Sequence, residues 1–311
     1  MNGEVSGGPL GPGVVDPVYL PFTEDQLQEH FKRVNGSGDH LTYYRKSAAF
    51  RRAEDPPKSK LAIQMEKDER FWVVTTLKRL YDHRADGAAL MTALEGCLGA
   101  PPVAFCTWKE ALAEPLRLYF EVALPAPARY RAHLRENFRS LNLDIPNRRH
   151  PPARTQYEGR TWVDAVLVSG TGVAVLFEAK VFSDISCRIE YDATRNQIAR
   201  TIDVMLESND GLRDEDGLLR ARRPARSFFV LLTPELFKNE QRESRLYGWL
   251  MREYQENPAL LERHLAHRQE PDAVAAASQC IGWLTWEKCH DLMKDSPGGG
   301  YAWLQPEAQT G

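Results

Sequence analysis

The segment Arg160–Asp184, RTWVDAVLVSGTGVAVLFEAKVFSD, constrains the fold of this 311-residue chain more than any other segment. Two runs rich in valine and leucine flank the glycine-bearing sequence SGTG, a pattern typical of a β-hairpin. The hairpin is apolar enough for a protein core, yet it carries the charged residues Asp164, Glu178 and Lys180. A fold that contains this hairpin must therefore expose these three charges or give them partners.

The length of the turn decides whether the three charges meet. Side chains alternate along a strand, so Glu178 and Lys180 point to the same face. A three-residue loop, Gly170–Gly172, with Gly172 at a positive φ, places Asp164 directly opposite Glu178. The Cβ atoms of such a cross-strand pair are about 4.5 to 5.5 Å apart, whereas a two-residue loop would send the carboxylates to opposite faces. We favour the three-residue loop.

Two facing carboxylates repel each other, so the pair needs a cation. A divalent metal supplies one directly: hard oxygen ligands from Asp164 and Glu178, completed by water molecules, suit Mg²⁺ or Mn²⁺. The alternative is an exposed strand face on which Glu178 and Lys180 form an ion pair. The mostly apolar neighbours in both strands favour burial over that alternative.

The periodicity of the remaining sequence divides the chain into four parts. We predict a disordered Gly- and Pro-rich N-terminus over 1–18, a mainly α-helical region over 19–125, an α/β domain over 126–295 and a flexible tail over 296–311. Helices are expected from Thr23 onward, in the segments MEKDERFWVVTTLKRLYDHR and GAALMTALEGCL, over Ala126–Leu141 and over Glu190–Leu206. With FFVLLT and IGWLTW as further strands, the order of elements predicts a small mixed β-sheet flanked by helices.

The hairpin and its surroundings carry a family resemblance. An aspartate at Asp164, the letters EAK at 178–180 on the next strand and a following helix with RNQIAR resemble the PD-(D/E)XK nuclease superfamily, which has a restriction-endonuclease-like core. The resemblance covers about Arg129–Met293. The family's proline before the aspartate is replaced here by Val163.

The resemblance implies a role for each residue of the hairpin. Asp164, Glu178 and the carbonyl of Ala179 would hold the metal, which lowers the pKa of a bound water. Lys180 would orient that water or help to deprotonate it, and would stabilise the developing negative charge. Gln197 matches a polar position beside such sites; the alternative is an ordinary exposed glutamine.

An acid on the helix before the strands often completes sites of this family. By that resemblance Glu136, within the helix Ala126–Leu141, is the candidate, and Glu158 is the second choice.

A nucleic-acid partner would be bound through clusters of charge, because the net charge of the chain is −3. The clusters are NRRHPPAR at 147–154 and RARRPAR at 220–226, expected to bracket the site, although each could also be a solvated surface. The residues expected to contact the nucleic acid are Arg148, Arg149, Arg154, Arg160, Arg195 and Arg200.

Taken with the resemblance, these residues imply a Mg²⁺- or Mn²⁺-dependent nuclease that hydrolyses phosphodiester bonds, DNA being the first choice of partner. A nuclease fold without catalysis that binds nucleic acid or acts as a scaffold, and an RNA-directed nuclease, remain open, as does a homodimer.

The apolar runs are shorter than the roughly 18 residues of a membrane span, and no signal peptide is recognisable. We therefore expect a cytoplasmic protein without a membrane partner, whose five scattered cysteines are reduced.

Overall fold

The structure is a computed structural model that describes residues 30, 69–83, 88–141, 158–186, 192, 195–208, 210–212, 214, 216–239 and 245–294. The predictions for the N-terminal 18 residues, the helix at Thr23 and the tail after 295 lie outside these residues. So do the predicted roles of Arg148, Arg149 and Arg154.

The centre of the fold is a five-stranded sheet in the order β1-β2-β3-β4-β5. Its strands are β1 (Leu116–Leu124), β2 (Thr161–Ser169), β3 (Ala174–Ala179), β4 (Ser227–Thr233) and β5 (Ile281–Thr285). The β1–β2 and β2–β3 pairs are antiparallel, whereas β3–β4 and β4–β5 are parallel. The predicted mixed sheet is therefore confirmed, and so is the α/β class.

Helices cover both faces of this sheet. They are α1 (Glu69–Asp82), α2 (Ala89–Leu98), α3 (Trp108–Ala111), α4 (Ala128–Leu141), α5 (Gln197–Met205), α6 (Leu218–Ala221), α7 (Glu235–Asn239), α8 (Leu246–Glu256), α9 (Pro258–His264), α10 (Pro271–Ser278) and α11 (Trp286–Met293). One core cluster joins the sheet to α1, α2, α3 and α11, and the other joins it to α5, α8, α9 and α10. Because both faces of β3 and β4 are covered, every residue of these strands is buried.

Strand β1 ties the two predicted regions on either side of residue 125 into one sheet. It lies in the region predicted to be mainly helical, and its residue Phe120 pairs with Ala165 of β2. Helices α1 and α2 of that region pack in the same core cluster as Phe177 of β3. The apolar run LRLYFEVAL could not be assigned to strand or helix by periodicity alone. Its pairing with β2 shows that this run is a strand.

Helix α5 begins at Gln197, seven residues later than the predicted start at Glu190. Asn196 has an extended backbone, and its side chain accepts a hydrogen bond from the N–H of Ala199 at 3.1 Å. This N-cap satisfies an N–H group that the first turn of a helix leaves without a partner. The cap therefore fixes where α5 starts.

Arg195, predicted to contact nucleic acid, lies instead in the core beside this cap. It is 1% exposed, its guanidinium lies 3.7 Å from the ring centroid of Tyr130, and it donates to Asp203 at 2.8 Å. Burial by itself would raise the pKa of Asp203, but Arg195 and His267, together with Arg268, hold it well below its usual range. The contacts with Tyr130 and Asp203 therefore give Arg195 a structural role in the core.

Replacing Asp203 by asparagine should destabilise the protein by about 3 to 5 kcal/mol, because it leaves a buried arginine without its closest counter-charge. Urea unfolding followed by circular dichroism measures the loss. The control is Arg129→Gln, whose ion pair with Glu270 joins side chains that are 58% and 45% exposed, and which should leave the midpoint unchanged. Equal midpoints for the two variants would show that the buried network does not stabilise the fold.

Two expectations from composition can be compared with the structure. Within the described ranges, no helix has the length and apolarity needed to cross a membrane. The four cysteines in this part of the chain, Cys97, Cys106, Cys280 and Cys289, are free thiols.

Candidate functional site

The turn of the β2–β3 hairpin sets the register of the two charged strands. The N–H of Ser169 donates to the carbonyl of Val173 at 3.0 Å, and Gly172 has a φ of 81°. Glycine adopts such left-handed angles without the steric cost that a Cβ imposes. This is the predicted three-residue loop, and in its register Ala165 pairs with Phe177.

Asp164 lies just beyond this pair and bonds to β3 through its side chain. Its Oδ2 accepts a hydrogen bond from the backbone N–H of Ala179 at 2.7 Å. The carboxylate thus takes the place that a backbone carbonyl has in a regular ladder. It holds Asp164 beside Glu178 and Lys180.

Glu178 and Lys180 form a buried ion pair. The Nζ of Lys180 lies 3.1 Å from Oε1 of Glu178 and donates to the carbonyl of Ala179 at 2.8 Å. Glu178 is 1% exposed and Lys180 is 4% exposed. The alternative of an exposed strand face is therefore wrong: the ion pair exists, but it lies inside the protein.

Gln197 joins the cluster from the start of α5. Its Nε2 donates to Oε1 of Glu178, and its own Oε1 accepts from the N–H of Ser186 at 3.3 Å. Gln197 is half-buried and is not an ordinary exposed glutamine. The structure places it beside the carboxylates, as the sequence predicted.

Glu69 is the residue that sequence analysis missed. It lies at the described start of α1, and its Oε2 is 3.4 Å from Nζ of Lys180. Its Oε1 accepts from the N–H of Val181 at 3.4 Å and from the hydroxyl of Ser183. Helix α1 therefore brings an acid against Lys180, whereas the sequence analysis had placed the candidate acid, Glu136, on α4. Recognition of β1 as a strand would have pointed to this helix.

The two acids chosen from the sequence lie elsewhere. Glu136 is exposed on α4 and lines a cleft of about 400 Å³ with His133 and Glu270. Glu158 is bound by Arg200 at 2.7 Å and therefore neutralises an arginine. Both predictions are corrected. The cause is that α4 is inserted between β1 and β2 and presents Glu136 to the solvent.

Burial dominates the electrostatics of the cluster. Loss of solvent, with the neighbouring Asp164, raises the pKa of Glu178 to about 8. Loss of solvent also raises the pKa of Asp164 to about 6, although Lys180 and the N–H of Ala179 oppose the rise. Burial alone would lower the pKa of Lys180, but Glu178 and Asp164 outweigh it and the pKa rises. The ammonium therefore stays charged at neutral pH.

The donor set of the site fits a hard divalent cation. Oε2 of Glu178 is buried and has no hydrogen-bond partner among the described atoms, so a bound cation would satisfy it. Carboxylate and carbonyl oxygens, here from Asp164, Glu178 and Ala179, are the ligands that Mg²⁺ and Mn²⁺ prefer. In the part of the chain that the structure describes, no three His, Cys, Asp or Glu residues are grouped to bind a metal. The ligands of a cation bound here would therefore be two carboxylates, a carbonyl and water molecules.

The remaining predicted arginines, Arg160 and Arg200, differ in exposure and in their contacts. Arg160 is exposed immediately before β2. Arg200 is half-buried; it donates to the Oγ1 of Thr161 at 3.0 Å and pairs with Glu158. Arg160 and Thr161, the β2 residue that Arg200 contacts, are at the end of β2 nearer to Asp164.

The cluster Arg220–Arg226 does not bracket the site. It ends where β4 begins at Ser227, whereas the site lies where Ala179 pairs with Leu232. Five residues of strand, about 16 Å, separate the two ends. Its buried member Arg222 donates to carbonyls at the end of α5, which is a structural role.

The raised pKa values predict how stability depends on pH. Without metal, the folded protein holds protons on Asp164 and Glu178 that the unfolded chain releases at its ordinary carboxyl pKa. The free energy of unfolding should therefore fall as pH rises from about 5 to about 8. Urea unfolding in EDTA measures this fall. Mg²⁺ should reduce it, because a bound cation replaces the protons.

The matched control for this pH dependence is Glu178→Gln, which cannot titrate. Its unfolding free energy should fall less with pH than that of the wild type over the same range. Parallel curves for the two proteins would mean that Glu178 ionises at its ordinary pKa in the folded state.

Comparison of the chain with protein-family models, with curated proteins and with solved structures gave no match. What the site does must therefore be argued from its own geometry and chemistry.

Proposed function

We propose that this protein is a metal-dependent nuclease that hydrolyses phosphodiester bonds, with DNA as the first candidate substrate. The observation that supports the proposal most is the buried cluster of Asp164, Glu178 and Lys180, which Glu69 and Gln197 complete from two helices. Placing two carboxylates, Glu178 and Glu69, against one buried ammonium, with Asp164 close by, is costly for folding. Such a cluster is more easily explained by chemistry than by stability.

The arrangement of elements also supports a PD-(D/E)XK-type core. Helix α1, which carries Glu69, precedes the antiparallel strands β1, β2 and β3, with α2 and α3 before β1 and α4 between β1 and β2. Helix α5, which carries Gln197, lies between β3 and the parallel strand β4. The aspartate lies on β2 and the EAK letters at the end of β3. The order of α4, the β2–β3 hairpin, α5, β4 and β5 is the order expected from the resemblance, whereas α1 and β1 were not part of that expectation.

The reaction we propose is attack of a water oxygen on the phosphorus, with cleavage of the bond to one ester oxygen. A bound Mg²⁺ or Mn²⁺ would lower the pKa of that water and neutralise charge on the phosphate. Glu178 and Asp164 would hold the cation with the Ala179 carbonyl. The water loses its proton to solvent or to a carboxylate of the site, and the leaving oxygen takes up a proton as its bond to phosphorus breaks.

The raised pKa of Lys180 decides between the two roles considered for it, orienting the water and deprotonating it. A lysine that stays protonated at neutral pH can donate hydrogen bonds but cannot remove a proton from water. We therefore assign to Lys180 the orientation of the water and the stabilisation of the negative charge that develops on the phosphate. Gln197, bound to Glu178, would keep that carboxylate in place.

A cleavage assay tests the proposal. Purified protein is incubated with supercoiled plasmid, linear duplex, single-stranded DNA and single-stranded RNA, each with Mg²⁺, Mn²⁺ or EDTA. We expect cleavage of at least one DNA substrate with a divalent metal and none in EDTA. Cleavage of RNA alone would favour an RNA-directed nuclease. Binding without cleavage of any substrate would favour a nucleic-acid-binding module. The cytoplasm is the compartment we propose for this activity.

A further inference from the structure

Two exposed aromatic side chains lie beside the site. Trp162 is 42% exposed and Phe182 is 57% exposed, whereas Trp283 and Trp286 are 6% and 2% exposed and belong to the core. Single exposed hydrophobic residues are common on protein surfaces and need no explanation. Here two aromatic rings lie at one end of a strand pair, next to a buried charged cluster. This arrangement needs an explanation.

Trp162 is held in place by the chain around it. It lies in β2 two residues before Asp164. Arg200 donates to the carbonyls of Gly159 at 3.3 Å and Arg160 at 2.8 Å, and to the hydroxyl of Thr161. The segment that leads to Trp162 is thus fixed to α5, so little conformational entropy would be lost when a ligand binds to the ring.

Phe182 is held in a similar way in the loop that follows β3. It lies two residues after Lys180, and both of its neighbours bond to Glu69: Val181 through its N–H and Ser183 through its hydroxyl. Val181 is 2% exposed, so the loop buries Val181 and leaves Phe182 at the surface. The loop that closes over the cluster therefore presents an aromatic ring beside it.

The antiparallel pairing brings the two rings to the same end of the sheet. β2 begins near Trp162, and β3 ends just before Phe182, so the start of one strand lies beside the end of the other. Exposed Arg160 adds a positive charge next to Trp162. Proteins bind single-stranded nucleic acids with aromatic rings that stack on the bases and with arginines that contact the phosphates. In a duplex the bases stack on each other and are not free to stack on the protein.

We propose that Trp162 and Phe182 stack on unpaired bases on either side of the phosphate to be cut, so that the enzyme prefers single-stranded DNA. This inference rests on the proposed nuclease function for its biological meaning, but the stacking can be measured without catalysis. Arg160 would contact the adjoining backbone phosphate.

The test measures the affinity of a fluorescently labelled oligonucleotide, single-stranded and as its duplex, in EDTA. Trp162→Ala should weaken single-strand binding about tenfold, and Phe182→Ala by a similar factor. Trp162→Phe, which keeps an aromatic face, should restore most of the affinity. Trp249→Ala is the matched control, because Trp249 is 46% exposed on α8, and it should leave affinity unchanged. Circular dichroism melts check that each variant is folded.

Three results would overturn the inference: duplex binding tighter than single-strand binding by the wild type, no loss in Trp162→Ala, or an equal loss in Trp249→Ala. The cleavage assay separates this failure from failure of the proposed function. Cleavage of DNA with an unaffected Trp162→Ala would reject the stacking alone. Stacking without cleavage of any substrate would reject the nuclease alone.

Discussion

Replacing Glu178 by glutamine should reduce metal-dependent cleavage by about a thousandfold or more. The substitution keeps the shape of a side chain that is 1% exposed but removes the negative charge that would attract the cation. Asp164→Asn should have a comparable effect for the same reason. Initial rates on the best substrate, measured over a range of Mg²⁺ concentrations, show whether the loss comes with a weaker metal dependence. Glu136→Gln, the same change at an exposed position on α4, is the control and should retain full activity.

Stability separates a chemical effect from a structural one in these variants. The raised pKa of Glu178 means that the folded protein disfavours its ionised form, and a neutral glutamine avoids that cost. In Asp164→Asn, the side-chain amide would still offer a carbonyl oxygen to the N–H of Ala179. In EDTA near pH 8, both variants should therefore unfold at temperatures no lower than the wild type. A lower unfolding temperature together with lost activity would indicate damage to the fold.

The part of the site that could be predicted from the sequence is the part set by local chain geometry. A glycine at a positive φ and a three-residue loop determine the register of β2 and β3, and that register depends on a few neighbouring residues. Gln197 was indicated by the family resemblance, and residues 180–196 separate it from the end of β3. Spacing alone therefore predicts the register of the hairpin but not the contact between Gln197 and Glu178.

The missed residues depend on contacts across long distances in sequence. Glu69 reaches Lys180 over 111 positions, and its identification required knowing that β1 belongs to the sheet. Arg195 was misjudged for another reason. From sequence alone, a charged residue in a polar stretch is predicted to be exposed. Only the tertiary structure shows that Arg195 pairs with Asp203 in the core.

Replacing Lys180 by methionine should depress cleavage by about a hundredfold to a thousandfold while leaving metal binding intact. The ammonium lies 3.1 Å from Glu178, so it acts on the carboxylates and the reacting groups and is not itself a metal ligand. Removing it also takes away a positive charge that competes with the metal for the same oxygens. The apparent affinity for Mg²⁺, measured by calorimetry, should therefore stay the same or rise.

The same substitution should destabilise the metal-free protein by about 3 to 5 kcal/mol, because it leaves buried carboxylates without a cation. The loss should be larger at pH 8 than at pH 6, since Glu178 can take up a proton at the lower pH. Mg²⁺ should recover much of it by supplying the missing charge. Lys109→Met, on the exposed side of α3, should change neither property. If Lys180→Met instead abolished Mg²⁺ binding, the lysine would be holding the carboxylates in place for the metal, and its assignment to the chemical step would be wrong.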